Sequence, residues 1–171
     1  MKSLHLVIIA LLLTLTTTLG AQELKFAHID IQKLVATLPD KVKADKALQD
    51  EANKLQSQLK IMSEELDKKY SEYMSQKDSL PDLVKSIKEK EIQDQNQRIQ
   101  NYNQLAQQSL GQKEQELLKP IIEKVQKAID EVGAENGFIY IFDVTTPGTF
   151  AYMSTKSVDI LPLVKQKLNL K

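Results

Sequence analysis

The stretch LQDEANKLQSQLKIMSEELDKKYSEYMSQKDSLPD, residues 48–82, decides the fold. Its apolar positions Leu48, Ala52, Leu55, Leu59, Met62, Leu66, Tyr70 and Tyr73 recur at spacings of four and three, the seam of a coiled coil. From Val42 to Asp78 such a helix would reach roughly 55 Å at 1.5 Å per residue. The run then meets Asp78-Ser79-Leu80-Pro81-Asp82. Ser79 followed three residues later by Asp82 predicts a capping-box-like start, with Pro81 in the first turn of a new helix that runs back antiparallel. From Lys41 to Val132 Gly is scarce and Pro81 marks the only turn, so the segment reads as one long helical hairpin.

The returning helix differs from the outgoing one. Between Glu91 and Gln115 the apolar positions thin to Ile92, Ile99, Tyr102, Leu105, Ala106 and Leu110, while Gln and Asn fill nearly half the sites. Gly111 lowers helix stability by about 1 kcal/mol relative to Ala. Pro120 removes a backbone donor and predicts a kink or restart, a hinge between the arm of residues 41–119 and the C-terminal segment. Around and beyond it the apolar period strengthens again through Leu118, Ile121, Ile122, Val125, Ile129 and Val132.

Short β-like segments flank the arm and define a body of residues 22–40 and 120–171. Leu24 to Ile29 alternates, with Ala27 and Ile29 on one face and Phe26 and His28 on the other. Asp30 is placed to cap a short helix that Pro39 stops. Phe138-Ile139-Tyr140-Ile141-Phe142 is apolar on both faces, as in a strand covered on two sides. Pro147-Gly148 marks a turn into a third strand, Thr149–Met153, predicted to form a hairpin with the second, and Asp159 caps a last helix through Leu168. The class is α+β: a small sheet with a hairpin inserted between its first and second strands. Three strands make a marginal sheet alone, so the inward residues Ala27, Ile29, Ile139 and Ile141 are expected to meet other subunits.

At the N-terminus, Lys2, the apolar run Leu6–Leu13 and the small pair Gly20-Ala21 form the three-part pattern of an export signal, expected to occupy residues 1–21 and to be cleaved after Ala21. Eight apolar residues fall short of the ~20 needed to span a bilayer. With no Cys in the chain, lipid attachment at the cleavage site and disulfide bonds are both excluded. Lys and Arg together number 23, as do Asp and Glu, so no global field draws the protein to nucleic acid or an anionic membrane. Losing residues 1–21 removes only Lys2 from that balance.

Chemistry is sparse. After Ala21 the only histidine is His28, expected to be a body residue with a backbone or Asp partner, and no nucleophile, Gly-rich phosphate loop or metal-ligand spacing accompanies it. No catalytic, metal or cofactor site is expected. The better candidates are apolar side chains near the hairpin tip, Leu66, Tyr70, Tyr73 and Met74, which suit adaptable contacts with a partner chain.

The order of parts resembles the Skp/OmpH periplasmic chaperones. The resemblance is carried by the export signal, Lys25–Asp30, the hairpin, Gly137–Asp143, Ala151-Tyr152, and Ser157-Val158-Asp159-Ile160 leading into the last helix. It implies a homotrimer with a shared β-body, three helical tentacles around a cavity, and ATP-independent holding of unfolded outer-membrane proteins. The well-known members are strongly basic and this chain is not, so a lipopolysaccharide site is not carried over. Leu161 stands where the family often has threonine. The competing reading is a coiled-coil adaptor of the cell envelope that docks by its tip near Leu80 and Leu83.

Overall fold

The computed structural model describes residues 24–170; the expected export signal at residues 1–21 lies outside them. Strand β1 (Lys25–Ile29) leads into helix α1 (Ile31–Ala36), whose first turn is capped by Asp30: its Oδ1 accepts from the Lys33 N–H at 2.9 Å. Pro39 then serves as the first residue of helix α2 (Pro39–Gln76), a position where its missing N–H has no partner to lose. A short 3-10 turn, Lys77–Ser79, precedes helix α3 (Asp82–Asn136). The sheet is completed by β2 (Phe138–Asp143) and β3 (Val158–Asp159), and helix α4 (Leu161–Lys167) ends the chain.

The hairpin forms as the heptad pattern predicts, but its tip is built differently. Ser79 does not cap α3; its hydroxyl donates to the Gln76 carbonyl at 2.8 Å. Pro81 sits one residue before the helix with extended backbone, and its carbonyl accepts from the N–H groups of Val84 and Lys85. The residue before a proline avoids the helical region, so Leu80 stays extended and the helix cannot begin until Asp82. Helix α3 continues without a restart through Pro120 for 55 residues.

The third strand also departs from expectation. Residues 149–153 are not a strand, and β2 has no hairpin partner. The sheet is parallel throughout, in the order β2-β1-β3, with β3 at residues 158–159. Each parallel neighbour requires a crossover. The whole helical hairpin is the crossover from β1 to β2, and residues 144–157 are the second. Asp159 ends β3 and is not the N-cap of α4, which is Ile160; its carboxylate accepts from the Leu161 N–H two residues on, at 2.9 Å.

One face of this sheet packs on helices. Ala27 and Ile29 meet Leu34 and Leu38, Ile121, Val125 and Val132 of α3, and Ile160 and Val164 in a single buried cluster. Phe138 and Ile141 both reach that cluster although they are three residues apart, because a register shift after Lys25 makes Ile139 an extra residue in the ladder. Gly133 permits the close approach of α3: a Cβ there would lie 3.0 Å from Ile141 Cδ1.

Helix α3 must reverse abruptly into β2, and Gly137 does this at φ 68°, a left-handed conformation that costs a side-chain-bearing residue about 1 kcal/mol or more. Gly137→Ala is therefore expected to lower stability by about 1 kcal/mol in urea unfolding followed by circular dichroism. An unchanged or higher midpoint would show that the turn is not a strained element.

Candidate functional site

The opposite face of the sheet carries aromatic side chains and, among the described residues, no helix. Phe26 of β1 lies between Tyr140 and Phe142 of β2, with both ring centroids 6.4 Å away, and Phe150 meets Phe142 edge-on at 5.2 Å. These rings remain open: Tyr140 is 62% exposed and Phe26 39%. Residues 150–158 pass beside this face and line, with Phe26 and Phe142, an open, mainly apolar cavity of about 680 Å3. His28 shares the face, its Nδ1 2.9 Å from the Ser157 hydroxyl, so its partner is a serine and not Asp30, whose carboxylate is occupied by the α1 cap.

This geometry redistributes the residues expected to join subunits. Ala27 and Ile29 are corrected: both are fully buried beneath the protomer's own helices and cannot touch another chain. Ile141 is half-buried against the same core, whereas Ile139, on the bulge, is exposed. Alternation along β1 shows that its faces differ, but α1, α3 and α4 determine which face is covered. The outward group Phe26, Tyr140, Phe142 and Phe150 was missed for that reason.

Along the arm, Leu66 is half-buried in the seam and Tyr70 and Met74 are open to solvent. Tyr73 is corrected as a contact residue: it is 4% exposed, and its hydroxyl donates to the Glu89 carboxylate of the returning helix. Lys77 lies over the same ring, 5.7 Å from its centroid. Leu83, expected only as a tip-docking residue of the adaptor reading, and Ile87, not singled out, each lie one residue before a seam position and are exposed. The seam nearer the body is loosely filled. Gly111 faces open space beside Leu48 and Ala52, and the next gap is lined by Ala44, Ala47 and Pro120. Just beyond it, Lys124 closes the base of the arm on Asp40 at 2.7 Å, which holds that carboxyl below its usual range.

The Glu89 carboxylate and burial raise the Tyr73 phenol from 10.0 to about 12. The folded arm thus holds this proton more tightly than the unfolded chain. The resulting stability is complete below pH 10 and is lost as pH rises from 10 toward 12. Tyr73→Phe should flatten that part of a melting-temperature profile, and a profile indistinguishable from the parent's would remove the phenol as its cause.

The family described as "Outer membrane protein (OmpH-like)" matches residues 25–168, which takes in both halves of the body and the whole hairpin. The chain belongs to that family. OmpH-like proteins are periplasmic chaperones rather than enzymes. A crystal structure from Caulobacter crescentus CB15, assigned as an OmpH-like outer membrane chaperone, superposes with a TM-score of 0.73 at 15% identity, covering 88% of this chain and 86% of that one. At that identity the likeness establishes the fold. No curated protein matches the chain. Among the described residues of this OmpH-like chain, apolar side chains remain exposed on the aromatic sheet face and on the flanks of the arm.

Proposed function

We propose that the chain is an ATP-independent periplasmic holdase that assembles as a homotrimer through the outer face of its sheet and holds unfolded outer-membrane proteins along its arms. The observation that carries this reading is the uncovered aromatic face. Parallel sheets are ordinarily covered on both faces by helices, and here, among the described residues, helices cover only one while residues 150–158 screen part of the other. A second copy supplies the missing layer, with Ile139 and the open segment Thr149–Met153 beside it. Residues 149–153 alternate like a strand and have no strand partner in the protomer, so they can add to a neighbouring edge.

Such assembly gathers several arms around one client. Tyr70, Met74, Leu83 and Ile87 then offer many weak apolar contacts, with Leu66 contributing from the seam, and their sum gives avidity without one client sequence. Pro120 acts as the compliant point of the arm through the donor it lacks. Unfolded barrel proteins expose unpaired strand edges that otherwise aggregate, and enclosure separates them.

The test is suppression of aggregation of a denatured outer-membrane barrel without nucleotide. Changing Tyr70, Met74, Leu83 and Ile87 together to Ser should reduce protection severalfold while assembly is unchanged. Protection equal to the parent's would move the client surface away from the arm flanks. The exposure of Leu83, 74%, favours one other reading, an adaptor docking by its tip. In that case changing Leu80 and Leu83 alone would abolish binding and the aggregation assay would show no protection.

A further inference from the structure

Asn136-Gly137 is the only Asn-Gly pair in the chain, and it stands where helix α3 turns into β2. In an unstructured chain such a pair is chemically labile, because glycine leaves the approach of its backbone nitrogen to the preceding carboxamide carbon unhindered. The reversal requires that glycine: φ is 68° at Gly137, where a side chain would be strained. The same reversal also occupies both reacting groups. The Gly137 N–H donates to the Ala134 carbonyl at 3.4 Å. The Asn136 carboxamide donates to the Val132 carbonyl at 2.8 Å, which turns its carbon back over the preceding helical turn and away from the Gly137 nitrogen.

We propose that Asn136 is a deamidation site, closed by the folded junction of α3 and β2 and opened when that junction unravels. In the open chain the Gly137 nitrogen gives up its proton and attacks Asn136 Cγ. The new C–N bond closes a succinimide as the Cγ–Nδ2 bond breaks, and the departing amide takes up a proton and leaves as ammonia. Water then opens the ring at either carbonyl. One product has an aspartyl residue in place of Asn136; the other has an isoaspartyl link that runs the main chain through Cβ. Either product removes the donor to Val132 and puts a carboxylate at the C-terminal end of α3, where the helix dipole disfavours it. The isoaspartyl link also lengthens the path into Phe138, whose pairing with Lys25 begins the β1–β2 ladder. A protomer that stays open long enough is therefore changed irreversibly, and loses the register that places Tyr140 and Phe142 beside Phe26.

The full chain is incubated at mildly alkaline pH, folded and in urea, and its tryptic peptide Ala128–Lys156 is weighed and assayed for isoaspartate. Asn136 is the only Asn or Gln in that peptide, so a gain of one mass unit reports this site. Conversion should run roughly tenfold faster or more in urea, since folded chains react only through their open fraction. Gly137→Ala, compared with the parent in urea where neither is folded, should slow conversion severalfold because its methyl group hinders the attacking nitrogen. Converted chains transferred out of urea should be depleted from the fraction that regains amide protection over Phe138–Asp143. Equal rates in folded and unfolded chains overturn the closure. An Asn136 that stays intact in urea, or that converts as fast beside Ala as beside Gly, overturns the site, and full recovery of protection by converted chains overturns the irreversible loss.

Discussion

Tyr140→Asp is expected to leave chain 22–171 monomeric with its protomer folded. Tyr140 points away from the core and is 62% exposed, so a carboxylate there is hydrated in the single protomer and costs the fold little. On assembly the same carboxylate would be taken from water among Phe26 and Phe142 without a partner. Desolvation of an unpaired polar group costs several kcal/mol, and the penalty recurs at every copy of the interface. The concentration for half-assembly should therefore rise roughly a thousandfold or more, each 1.4 kcal/mol being tenfold. Ile141→Asp provides the contrast: it faces the protomer core and Gly133, and should unfold the body. Light scattering gives the mass and circular dichroism the fold. A Tyr140→Asp protein that assembles at the parent's concentration would remove this face from the interface.

Leu34→Ala should have the largest effect on the protomer itself. Leu34 is fully buried, and α1, only six residues long, covers its part of the sheet largely through that side chain. Truncating a buried Leu costs about 2–5 kcal/mol through lost transfer energy and the cavity left behind. Against a typical total of about 5–15 kcal/mol, this is a large share. The urea midpoint should fall accordingly, and β1 should lose amide protection together with α4, since both pack on the same cluster. A loss under about 1 kcal/mol would mean that the site collapses around the smaller side chain.

The hairpin was legible because its signal is local and repeated: Leu48 to Leu66 state the helical period several times over. Tyr73 belongs to the same pattern, and the structure keeps it in the seam rather than at the surface. The body was less legible. Phe150, Ala151 and Tyr152 alternate as a strand does, but alternation does not say which edge a strand will pair with, or in which molecule. Val158-Asp159 is too short to carry a period, yet it is the segment that pairs with β1. The inward face of β1 is settled by Leu34, Val125 and Ile160, which are remote in sequence. Leu83 and Ile87 lie beside seam positions, and only the rotation of the returning helix decides that they remain exposed.

The placement of the arm between β1 and β2 also sets the order in which the protomer can fold. Lys25 pairs with Phe138 and Ile29 with Asp143, so every rung of that ladder closes a loop of more than one hundred residues. An unstructured loop of that length makes such pairing slow. The paired helices shorten that search, because zipping from the tip would bring their bases together, where Asp40 and Lys124 meet at 2.7 Å. The arm is thus a splint for its own sheet. Folding rate should depend on how readily the turn at Leu80-Pro81 nucleates and very little on arm length, so deleting matched heptads from both helices should leave refolding as fast as before.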